Sequence, residues 1–99
     1  MTDVIKLNGK KERFSEEKVK NSIESAIKDA GLNINAKKKL IDNTLNDVNE
    51  LVGNKKEVTA EDIRRVIIDD FEHDWEGDQV PVAQAWRNYE LKHGIIYRE

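Results

Sequence analysis

VIKLNGKKERFSEEKV, residues Val4 to Val19, reads in one pass as a strand, a turn, a second strand and a capped helix. Asn8-Gly9 stands between two runs that carry apolar residues, the strongest short-range hairpin signal; a two-residue type I′ turn needs positive φ at both central positions. Phe14 closes the second strand. Ser15 can accept from the first free N–H groups of the helix behind it, and Glu16 and Glu17 suit that helix's positive end. The same stretch carries Lys6, Lys10, Lys11, Glu12 and Arg13, with Lys18 one turn into the helix. Cations gathered beside a helix start and next to a carboxylate make a candidate seat for a nucleotide.

Beyond Val19 the apolar residues keep helical spacing. The first helix is expected over Glu16 to Ala30, with Val19, Ile23, Ala26, Ile27 and Ala30 on one face. A second runs from near Asn35 to Val52 and presents Leu40, Ile41, Leu45, Val48, Leu51 and Val52, its Lys37-Lys38-Lys39 run pointing mostly to water. Lys55 to Val58 makes a short extended piece that can add a third strand beside the hairpin. Thr59 caps a third helix with Asp62 three residues on, a capping box with Asp in place of Glu, and Ile63, Val66, Ile67 and Phe71 form its stripe. The last helix is expected from near Asp78 to His93, with Pro81 in its first turn and Val82, Ala83, Ala85, Trp86 and Tyr89 buried. Gly31, Gly53 and Gly94 each follow a helical segment, as left-handed caps do, and Gly77 lies in an acidic loop. The fold class is therefore α+β: a small N-terminal β-hairpin, open to a third short strand, capping a four-helix bundle.

The 99 residues fit one domain, and 37% hydrophobic against 37% charged content puts a small core under a heavily solvated shell. A formal net charge of −3 argues against a dedicated nucleic-acid module. The absence of cysteine removes disulfides, zinc-thiolate sites and thiol chemistry. With no apolar leader and no run long enough to span a bilayer, the chain reads as soluble and cytoplasmic.

Other chemistries find little footing. Asp69 to Asp78 (DDFEHDWEGD) only faintly resembles a calcium loop, since Ala85 stands where a bidentate Glu is required, and it reads as a solvated helix end and loop with Trp75 as a core plug. His73 and His93 have no triad or HExxH spacing around them. No two glycines lie close enough for a phosphate-cradling loop, so any phosphate must be met by Lys and Arg side chains and helix ends. Arg64 and Arg65 sit early in the third helix, against its dipole, a cost offset by a nearby anion or by Glu61 and Asp62.

Together these segments resemble an ATP-cone, the small nucleotide-binding domain found mainly at the N-terminus of ribonucleotide reductase large subunits and also in bacterial repressors of reductase genes. The opening family pattern V-x-K-R-[DN]-G-x-x-E-x-F-x-x-x-K-[IV] is similar to Val4, Lys6, Asn8, Gly9, Glu12, Phe14, Lys18 and Val19, in register. The V-T-x-x-x-I-x-x-x-V signature is met by Val58, Thr59, Ile63 and Ile67, with Val66 beside it. The closing V-A-x-A-[YW]-x-x-[YF] is met by Val82, Ala83, Ala85, Trp86 and Tyr89.

The resemblance implies one ATP-cone domain over residues 1–99 that binds ATP or dATP, with Mg2+, and performs no catalysis. Its nucleotide-binding set would be Val4, Lys6, Glu12, Ser15, Lys18, Val19, Thr59, Ile63, Arg64, Tyr89, Lys92 and His93. Lys6 would meet phosphates, and Glu12 would accept from the adenine amino group with Ser15 nearby. Lys18 and Val19 would line the base and phosphate side, and Thr59, Ile63 and Arg64 would face the sugar and phosphates. Tyr89, Lys92 or His93 would close the far side. Leu7 departs from the family's usual Arg, and Lys10, Lys11 or Arg13 are the residues placed to compensate. Implied partners are the adenine nucleotide, a second copy or a reductase or regulator body; neither nucleic acid nor a membrane is expected. The chain reads as an excised domain or a free-standing cone. The competing reading is a helical interaction or oligomerisation module of the same fold that has lost nucleotide binding.

Overall fold

The computed structural model describes residues 2–72, 82–94 and 96, without the side chains of Val82 and Ala83. Two short strands, β1 (Asp3–Ile5) and β2 (Lys11–Arg13), form the hairpin, followed by helix α1 (Glu16–Asp29). A single 3₁₀ turn (Asn35–Lys37) leads into α2 (Lys38–Val52). Strand β3 (Glu57–Thr59), α3 (Ala60–Glu72) and α4 (Val82–His93) follow among the described residues.

The fold is α+β, a three-stranded sheet with four helices, and β1 is its central strand. β2 pairs antiparallel with β1, with Val4 opposite Glu12. β3 pairs parallel on the other side, with Val4 opposite Val58 and Ile5 opposite Thr59. The third strand thus lies beside the hairpin, one to two residues later than the sequence pattern places it. Thr59 joins it before capping α3, because its extended backbone serves both the ladder and the cap.

The hairpin turn corrects the two-residue expectation. Gly9 N–H donates to the Lys6 carbonyl at 2.9 Å, and Lys6 N–H donates to the Lys10 carbonyl at 2.8 Å, so the loop is Leu7-Asn8-Gly9. This is the bonding of a three-residue loop ending in a left-handed residue, which asks for positive φ at one position rather than two. Gly9 supplies it at φ 85°, and Asn8 Oδ1 instead accepts from Lys10 N–H at 3.0 Å.

α1 begins where the cap predicts: Ser15 is extended (φ −133°, ψ 115°) and its Oγ accepts from Lys18 N–H at 3.2 Å. Val19, Ile23, Ala26 and Ile27 are buried along it, while Ala30, at the C-cap, is exposed. Asn33 starts the 3₁₀ turn by accepting from Asn35 N–H at 2.8 Å. Lys38 and Lys39 are exposed as expected, but Lys37 is buried, which its long apolar stem permits. The other expected positions divide by depth: Ile41, Leu45, Val48 and Val52 are buried, and Leu40 and Leu51 pack partly buried against them.

α1 packs on α2 and α4, and α3 packs on α2 and α4, while β3 touches α2 and α3. Trp86 of α4 lies at the centre, fully buried, edge-on to Phe71 of α3 (ring centroids 6.0 Å apart, 80°) and stacked on Tyr89 (5.7 Å, 28°). Val4, Val19, Ile23, Ile63 and Ile67 share that core at 0% exposure. The expected α4 start near Asp78, Pro81, the burial of Val82 and Ala83, and the loop holding His73, Trp75 and Gly77 lie outside the described residues. No helix among the described residues is long and apolar enough to cross a membrane.

Candidate functional site

Side chains alternate across a strand, so Val4, Glu12 and Val58 share one face of the sheet. Val4 and Val58 are buried there; Glu12 is half-buried beside them. A carboxylate on the core-facing side of a small sheet needs partners, and two lysines supply them. Lys6 Nζ lies 3.1 Å from Glu12 Oε1 and Lys18 Nζ 2.5 Å from Glu12 Oε2. Each carboxylate oxygen thus holds one ammonium, one from the hairpin and one from α1. The Lys18 hydrogen bond, with help from Lys6 and against some desolvation, holds the Glu12 carboxyl below the usual carboxylate range. Two cations on one anion leave a local charge of +1, suited to a polyanion.

Lys10 is exposed in the turn. Lys11 pairs with Glu57 across the opposite face of the sheet, and strand alternation sets Arg13 on that face too. Among the described residues the ion pairs of Glu12 are with Lys6 and Lys18, not with any of these three. Leu7 itself is 68% exposed at the hairpin tip.

A second charged cluster lies between α3 and α4. Arg64 Nε is 2.6 Å from Glu90 Oε2, and its NH1 is 3.3 Å from Glu61 Oε1. The Glu90 hydrogen bond raises the Arg64 pKa further above its ordinary value. Thr59 Oγ1 accepts from Asp62 N–H at 3.0 Å, the expected cap of α3. The Ile5–Thr59 register puts Lys6 and the start of α3 at the same end of the β1–β3 pair, so the positive end of that helix adds to the lysine.

A groove of about 390 Å³ runs along α1, lined by Ser15, Glu17, Lys18, Asn21, Ser22 and Ser25, with Tyr89 facing them from α4. Its size is in the range of small-molecule sites. Beyond it, Tyr89 and His93 have ring centroids 4.6 Å apart, and His93 Nε2 lies 3.4 Å from Asp29 Oδ2 at the far end of α1.

Of the residues singled out from sequence, Lys6, Glu12 and Lys18 meet at one carboxylate, while Ser15, Lys18 and Tyr89 meet in the groove. Arg64 lies in the separate α3–α4 cluster, and His93 extends the ring column. Val4, Val19 and Ile63 are fully buried, and Lys92 is exposed on α4. Sequence reading missed Asn21, Ser22, Ser25 and Glu90. The spacing Ser15, Lys18, Ser22, Ser25 is a polar stripe at helical period and was available as a signal. Glu90 left none, because its partner is 26 residues away.

The charges suit a phosphorylated ligand: cationic side chains near a helix start, with no glycine loop needed. Among the described residues, no group of three His, Asp or Glu is placed to hold a metal ion. A family model described as the ATP cone domain matches residues 2–95. No curated protein and no solved structure matches the chain.

Proposed function

Because the chain belongs to the ATP-cone family, whose members are nucleotide-binding regulatory domains, we propose that residues 1–99 form one cone that takes ATP or dATP between its hairpin and α1. The observation that carries this is the Glu12 carboxylate shared by Lys6 and Lys18, of which Lys18 also lines the Ser15–Tyr89 groove. Phosphates would exchange onto the two ammonium groups, and the adenine amino group would donate to Glu12 as they leave it. Val4, Val19 and Ile63 would support the pocket from the core side. Tyr89 offers a ring face for the base or sugar, and Thr59, Arg64, Lys92 and His93 would close the remaining sides. Mg2+ would neutralise phosphate oxygens facing away from the lysines.

The chain's role in this reading is regulatory. Nucleotide occupancy would change its association with a second copy or with a body such as ribonucleotide reductase or a reductase regulator in the cytoplasm, which requires different affinity for two states. Calorimetric titration with ATP, dATP and GTP in magnesium, with native mass followed in parallel, tests it. Saturable, adenine-selective binding is expected. No heat and no mass change at millimolar nucleotide would sink this reading and leave an association module of cone fold.

A further inference from the structure

Arg64 stands between two carboxylates, Glu61 on its own helix and Glu90 on α4. The pairs are not equivalent. The Glu90 side chain is 8% exposed against 41% for Glu61, and its contact with Arg64 is the shorter, at 2.6 Å against 3.3 Å. Glu90 also follows Tyr89, which lines the groove from α4. One guanidinium with two carboxylates has a local charge of −1, the wrong sign for a residue that would meet phosphate.

We infer that Glu90 is an internal competitor of phosphate for Arg64, and that displacing it unfastens α4 from α3. The inference rests on the nucleotide reading above. While Arg64 is held by Glu90 it is not available to the ligand, and apparent affinity falls by the fraction of molecules in which it is free. When a phosphate takes the guanidinium, Glu90 is left as a largely buried carboxylate without its cation, a costly state. It relieves that cost by moving toward water, and the helix that moves carries Tyr89 and Trp86. Glu90 is thus a positioning residue, acting through Arg64, that converts nucleotide arrival into displacement of α4.

The test is titration of the full chain with ATP and magnesium for wild type, Glu90→Gln, Arg64→Ala and the double variant. Glu90→Gln keeps size and a hydrogen-bond acceptor but removes the competing charge, so ATP should bind roughly 3- to 10-fold tighter. A merely structural role would give weaker binding or none of this gain. Arg64→Ala should bind more weakly, and adding Glu90→Gln to it should bring no gain. Amide resonances along α4 should shift on ATP addition to the wild type. Should Glu90→Gln fail to fold by circular dichroism, Glu90→Asp, which draws the charge back by one methylene, is read the same way. Wild-type binding that the glutamine leaves unchanged or weakens, or a gain that persists without Arg64, overturns the inference alone. No binding by any variant overturns it together with the nucleotide reading.

Discussion

Each oxygen of the Glu12 carboxylate holds a different ammonium, and this sets both its titration and its sensitivity to substitution. Its pKa is lowered in the fold, so its stabilising contribution is present above the ordinary carboxylate range and is lost as pH falls through the lowered value. Glu12→Gln should therefore lower the melting temperature at pH 7, and the difference from wild type should shrink on acidification below that range. Lys6→Ala and Glu12→Ala should each weaken adenine-nucleotide binding about tenfold or more, the scale of a hydrogen bond to a charged group, whereas Lys38→Ala on the exposed helix face should change nothing. Unchanged affinity in the first two would count against the site. These residues were legible because they are local: Lys6, Glu12, Ser15 and Lys18 all fall within one strand–turn–strand–helix stretch. Glu90 was not, since only folding brings α3 and α4 together.

Helix ends were the most legible elements. Ser15 and Thr59 each use a side-chain oxygen where an N-terminal N–H lacks a partner, so type and start of α1 and α3 follow from short sequence. The turn was less so, because Asn-Gly suits either a two- or a three-residue loop and the strand register decides. What sequence could not announce is a liability between α2 and α3. Asp70 is partly buried beside Asp47 and Thr44 of α2 and next to Asp69, and its Oδ2 has no hydrogen-bond partner among the described residues. Burial, then the Asp47 carboxylate, pushes it up to about 7. A raised carboxyl binds its proton in the folded chain before the unfolded one does, so its ionisation costs stability as pH rises from about 4 to about 7. Asp70→Asn should raise the melting temperature at pH 8, with the gain shrinking as pH falls below about 7 and vanishing only below about 4. A gain that did not shrink on acidification would mean that charge is not the cause.

At the scale of the whole molecule, one indole joins the layers. Trp86 touches Phe71 on α3 and Tyr89 on its own helix and is wholly enclosed, so Trp86→Ala should cost about 3–5 kcal/mol. That is a large share of a small domain's stability. Urea unfolding read by far-ultraviolet circular dichroism would show the midpoint fall sharply, and a change under 1 kcal/mol would refute the packing account. The sheet makes a different demand, on timing. The hairpin closes from neighbouring residues, but β1 meets its parallel partner β3 only after both α1 and α2 have been made. During synthesis the central strand therefore waits with one edge bare, and such an edge templates pairing with other chains. A nascent chain stalled before Glu57 is the form of this protein most exposed to aggregation, and the one a ribosome-bound chaperone would need to cover.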